Sequence, residues 1–125
     1  MEGCTIEHSG DDAFAMWSAW DTMTGIAFRD NRAVRPRYPR TWLASCFAVY
    51  GGNHSVFENN VCNGTGNRGM IFFDKNFHGA FAAGASAVVV NDTVDQGKPV
   101  CGGLAFPSKV VDAPGCSHRA HGRGA

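Results

Sequence analysis

Seven residues, Ala27-Phe28-Arg29-Asp30-Asn31-Arg32-Ala33, recur as Val56-Phe57-Glu58-Asn59-Asn60-Val61-Cys62 and, more loosely, as Val88-Val89-Val90-Asn91-Asp92-Thr93-Val94. Asn31, Asn60 and Asn91 lie 29 and 31 residues apart, and strand-like runs carrying Phe14, Phe47 and Met70-Ile71-Phe72 precede the three copies in the same order. A short unit of strand, turn and strand cannot bury its apolar face by itself. Stacking successive copies does bury it, which is why a repeat of this size points to a solenoid. The pattern predicts an all-β fold, a single-stranded right-handed parallel β-helix of three to four incomplete coils. Its asparagines would stack at one corner, with their amides hydrogen-bonding along the stack. The alternative is a β-sandwich with Asn-rich turns.

The remaining composition narrows the class of function. Eleven Lys and Arg balance eleven Asp and Glu, so the basic footprint of a nucleic-acid binder is missing and no nucleic-acid partner is expected. No apolar run approaches the ~20 residues of a membrane-spanning helix, so no membrane partner is expected either. Sixteen glycines and nine phenylalanines among 125 residues suit a turn-rich, strand-rich domain with a modest core. Met1-Glu2-Gly3-Cys4 is unlike a signal peptide. Three Asn-x-Ser/Thr sequons, at Asn53, Asn63 and Asn91, are nevertheless features of secreted chains. The five cysteines allow two disulfides with one thiol left over, or serve as small buried residues. Cys101, Cys116, His118 and His121 match no zinc spacing; calcium stays open, since β-helix loops can supply oxygen ligands although no dedicated run of them is present. No metal-ligand residue is assigned and no cofactor is expected. The reading is a piece of a larger, secreted protein: residues 1–107 form β-helix, and the polar segment 108–125 is a poorly ordered tail. Its open ends would expose unpaired backbone and favour self-association.

The stretch with most chemistry is Gly10-Asp11-Asp12-Ala13-Phe14-Ala15-Met16-Trp17-Ser18. Adjacent carboxylates open onto an apolar, aromatic strand. Neighbouring strand residues point to opposite faces, so Asp11 and Asp12 share a cleft only if the backbone turns there, which Gly10 makes easy. Arg35-Pro36-Arg37-Tyr38-Pro39-Arg40 reads as a solvated basic loop, because its prolines exclude it from a ladder interior.

This stretch, followed by Phe47-Ala48-Val49-Tyr50-Gly51-Gly52, the Val56-Phe57-Glu58-Asn59-Asn60 corner and Arg68-Gly69-Met70-Ile71-Phe72, resembles the α-1,3-glucanase (mycodextranase) glycoside hydrolases, family 87. The resemblance spans about residues 4–73. It implies secreted β-helical enzymes that hydrolyse α-1,3-glucan with inversion, using an adjacent aspartate pair in a Gly-Asp-Asp context and a third aspartate about one coil earlier. Asp11 and Asp12 match the pair as catalytic residues, whereas the third aspartate has no counterpart here. Inversion needs an acid and a base about 6.5–9.5 Å apart. Residues adjacent in sequence, with Cα atoms about 3.8 Å apart, are ill placed to span that gap alone. Trp17, Trp20 and Tyr50 would offer ring faces to glucose, and Asn53 and Asp74 would bond its hydroxyls. His54, inside a sequon, reads as a turn residue. The rival readings are a polygalacturonase-type pectin hydrolase, although its Gly-His-Gly and Arg-x-Lys motifs are missing, and a non-catalytic glycan-binding or structural β-helix fragment.

Overall fold

The computed structural model describes residues 1–9, 11–18, 21–34, 45–64, 70–74, 80–95, 100–103, 107 and 109–111. The described residues form twelve strands and no helix, and so no helix long and apolar enough to cross a membrane. In order these are β1 (Thr5–Glu7), β2 (Phe14–Trp17), β3 (Ile26–Arg29), β4 (Arg32–Val34), β5 (Phe47–Tyr50), β6 (Gly52–Glu58), β7 (Val61–Asn63), β8 (Ile71–Asp74), β9 (Phe81–Val90), β10 (Thr93–Asp95), β11 (Cys101–Gly103) and β12 (Lys109–Val111). They fall into three four-stranded sheets, β1-β4-β7-β10, β2-β5-β8-β11 and β3-β6-β9-β12. Every pairing within them is parallel. Each coil gives one strand to each sheet before the chain climbs to the next coil. The architecture is therefore the parallel β-helix that the repeat predicts: three complete coils (β2–β4, β5–β7, β8–β10), with β1 before them and β11 and β12 after. The ladder continues past Pro107 through β12, which pairs with Ser86–Val88 of β9.

Alternation decides what faces inward. In β2, Phe14 and Met16 are buried while Ala15 and Trp17 are exposed, the period of two that a strand imposes. Parallel register then places like on like. Phe14 aligns with Phe47 and Phe28 with Phe57, giving stacked rings with centroids 5.0 and 5.3 Å apart. The two stacks meet edge to face across the interior, Phe28 on Phe47 at 5.5 Å and Phe47 on Phe57 at 5.6 Å. Burying each such ring contributes about 1.5–3 kcal/mol, and the offset and T-shaped geometries add to that. Cys46 and Cys62, both fully buried, form a disulfide across the second coil; Cys101 is also disulfide-bonded, and Cys4 is a free thiol.

The corner between the β3-β6-β9-β12 sheet and the β1-β4-β7-β10 sheet always contains two residues: Asp30-Asn31, Asn59-Asn60 and Asn91-Asp92. The first of each pair is left-handed, with φ of 57°, 57° and 54°, a conformation that Asn and Asp tolerate better than other side chains. The second is the rung of a ladder. Asn31 Oδ1 accepts the Cys4 N–H (2.9 Å), Asn60 Oδ1 accepts the Asn31 N–H (3.0 Å), and Asp92 Oδ1 accepts the Asn60 N–H (2.8 Å). The sequence repeat is in the correct register, but the third rung is Asp92 and not Asn91. Asn91 occupies the left-handed position equivalent to Asp30 and Asn59, so the asparagine spacing slips by one residue at the last copy.

Candidate functional site

The acidic stretch lies against the outer face of the β2-β5-β8-β11 sheet. Its side chains are set by the backbone just before β2, where the Ala13 and Phe14 N–H groups already donate to the Ser45 and Cys46 carbonyls of the next coil. The two aspartates take different roles. Asp11 is exposed, and its Oδ1 accepts the Asp12 N–H (2.8 Å) in a local turn, while its carbonyl accepts the Ser9 hydroxyl. Asp12 is half-buried and reaches across to the next coil. Its Oδ1 accepts the Ser45 N–H (2.7 Å) and its Oδ2 accepts the Tyr50 hydroxyl (2.8 Å). Both oxygens being engaged, the carboxylate has a fixed orientation.

Strand register brings other expected residues to this face. Tyr50 at the end of β5 aligns with Trp17 on one side and Asp74 on the other. Trp17 is 47% exposed, the largest ring offered to solvent among the described residues. Tyr50 and Asp74 differ from expectation: they are only 8% and 3% exposed. The Tyr50 ring packs with Ala48 and Phe72 in an apolar cluster separate from the main core, so it holds Asp12 in place and offers no ring face to a ligand. Asp74 is likewise buried at the strand end, and its carbonyl accepts the Gly51 N–H (3.1 Å). Asn53 lies beyond the Gly51-Gly52 corner on β6 and hence on the neighbouring sheet. That corner depends on glycine twice over. Its φ values are 85° and 110°, and a Cβ at Gly51 would run into the Ala80 backbone. Trp20 and the basic loop 35–40 lie outside the described residues.

A second polar group is on the β3-β6-β9-β12 sheet. His54 Nδ1 is 2.8 Å from Ser86 Oγ, and Lys109 of β12 aligns with Ser86. Alternation on β9 gave no sequence signal for this pair, because Ser86 stands in a run of small residues. Nor did the sequence reveal the Asp12–Tyr50 bond, whose partners are 38 residues apart. Among the described residues, no group of three or more His, Cys, Asp or Glu side chains converges to hold a metal ion.

Compared with protein families, characterised proteins and solved structures, the chain matches no family model, and no protein or structure is significantly similar to it.

Proposed function

We propose that this chain carries part of the polysaccharide-binding face of a glycoside hydrolase-like β-helix that acts on α-1,3-glucan, with Asp11 and Asp12 as its carboxylates and Trp17 as a sugar platform. The observation that carries this reading is the alignment on one outer face of an oriented carboxylate and an exposed indole. Asp12 lies two residues before β2 and Trp17 closes it, and Tyr50 adjoins both, bonding Asp12 through its hydroxyl and aligning with Trp17 in the strand register. Tyr50 acts indirectly, by fixing Asp12 through its hydroxyl.

Inverting hydrolysis takes a proton from an acid to the glycosidic oxygen while a base draws a proton from the attacking water on the opposite face of the ring. In this assignment one member of the Asp11–Asp12 pair fills one role, and the other role needs a carboxylate across the cleft. The third aspartate of the resembled pattern has no match in this chain. The isolated chain is therefore expected to bind glucan more readily than it cleaves it.

A second reading, a non-catalytic glycan-binding β-helix, is favoured by one specific observation: both Asp12 oxygens tie the first coil to the second, as a purely structural strut would. Reducing-sugar release from insoluble α-1,3-glucan separates the two. Activity lost in both Asp11→Asn and Asp12→Asn, with pectin and α-1,4-glucan untouched, supports the hydrolase. Binding without release in wild type, unchanged by either substitution, supports the second reading.

A further inference from the structure

The third rung of the corner ladder is chemically unlike the two beneath it. In the lower rungs the side-chain amide has two functions. Its oxygen accepts the rung N–H of the coil below, and its nitrogen donates to the carbonyl three residues before that lower rung. Asn31 Nδ2 donates to the Met1 carbonyl at 3.2 Å, and Asn60 Nδ2 donates to the Phe28 carbonyl at 3.0 Å. Asp92 reproduces the first function, since its Oδ1 accepts the Asn60 N–H and also the Asn60 Nδ2 (3.2 Å). The second function is missing. By the same register the carbonyl due to Asp92 is that of Phe57, which aligns with Val89, and an ionised carboxylate has no proton to donate to it. Asp92 Oδ2 is accordingly buried with no hydrogen-bond partner, an arrangement that costs more than an unmade bond in water because the atom is also desolvated.

We propose that Asp92 is a proton-operated latch: protonated, its carboxyl donates to the Phe57 carbonyl and completes the ladder; ionised, it leaves that rung unmade and loosens the junction between the second and third coils. The electrostatics agree with the geometry. Burial pushes the Asp92 carboxyl up from 3.8 to about 6, and the charge of Glu58 adds to the rise, while the hydrogen bonds from the Asn60 backbone and side chain oppose it. Of the charged side chains on the elements packed here, Glu58 is the one that acts on Asp92, and it is itself paired with Arg29 of β3 at 3.0 Å. Asp30 and Arg32 belong to the first corner, two coils below, and Lys109 opens β12 above. Glu58, Asn59 and Asn60 face it from the coil below, and the described neighbours on its own coil, Val90, Asn91, Thr93 and Val94, carry no charge.

The folded state keeps the proton between 3.8 and about 6, where an unfolded chain has lost it. Stability attributable to this residue is therefore full below that window and falls as pH rises through it.

The test is thermal and urea unfolding of the full chain between pH 4 and pH 8, in wild type and in Asp92→Asn. The variant restores an amide that can donate to Phe57 at every pH. Relative to the variant, the wild-type folding equilibrium constant is expected to fall about thirtyfold between pH 4 and pH 6, and Asp92→Asn is expected to be the more stable protein at pH 7. Parallel pH profiles for the two proteins would overturn the proposal. If the variant does not fold, the carbon-13 shift of the wild-type Asp92 carboxyl decides the matter: a midpoint near 6 upholds the latch, and one near the ordinary aspartate value overturns it.

Discussion

Two parts of each coil follow opposite rules. The corner at Asp30-Asn31, Asn59-Asn60 and Asn91-Asp92 keeps the same length, the same left-handed turn and the same acceptor in all three coils. Around the β2-β5-β8-β11 sheet the chain is irregular: Phe14, Phe47 and Ile71 align although 33 and then 24 residues separate them. The fold is fixed at the ladder corner and free to vary elsewhere around the coil. A buried amide rung tolerates no insertion, because one extra residue would put a polar group against the core and move the next strand off register. The other corners vary in length, from the single residue Gly51 between β5 and β6 to the eight residues between β2 and β3, and the acidic and aromatic residues are found beside them.

Damage on the invariant side of this comparison should be large and global. Phe57 touches both aromatic stacks and is fully buried, so Phe57→Ala is expected to cost about 3–5 kcal/mol in urea unfolding. Opening the Cys46–Cys62 disulfide by paired Ser substitution should cost about 3 kcal/mol, the value for a closed loop of this size. Asn60→Ala removes the acceptor for the Asn31 N–H and the donor to the Phe28 carbonyl. A loss of about 2–3 kcal/mol is expected from the two buried groups left unpaired, together with faster amide exchange at Asn31. Equal losses from Asn60→Ala and from an exposed corner change such as Asn59→Gly would show that the ladder adds nothing beyond the turn.

On the variable side the effects should be small in stability and local in character. Tyr50→Phe deletes the hydroxyl that holds Asp12 and is expected to cost about 1 kcal/mol, while loosening Asp12 on the outer face. Trp17→Ala, at an exposed position, should change stability by no more than about 0.5 kcal/mol.

The legibility of the sequence divides along the same line. The solenoid was readable because its signal is local and repeated: Phe28 and Phe57, each three residues before an asparagine, announce the same turn in successive coils. The last rung was misplaced because both Asn91 and Asp92 are good corner residues, and only strand register shows which one is left-handed and which faces inward. Asp11 and Asp12 were visible as a pair, but their division of labour was not. It depends on Ser45 and Tyr50, which a coil of chain brings alongside. The burial of Tyr50 and Asp74 was equally hidden. Both occupy outward positions in their strands, where alternation predicts exposure, yet Tyr50 packs in a second apolar cluster with Ala48 and Phe72. Trp20 lies outside the described residues, and the third aspartate of the resembled pattern has no counterpart in the sequence.

Co-sedimentation with insoluble α-1,3-glucan tests the proposed binding face, comparing wild type with Trp17→Ala on the β2-β5-β8-β11 face and His54→Ala on the neighbouring sheet. Trp17→Ala is expected to weaken binding about tenfold or more, while His54→Ala binds as wild type does. Wild type that does not sediment with the glucan, or a loss that follows His54 instead of Trp17, would contradict that binding face.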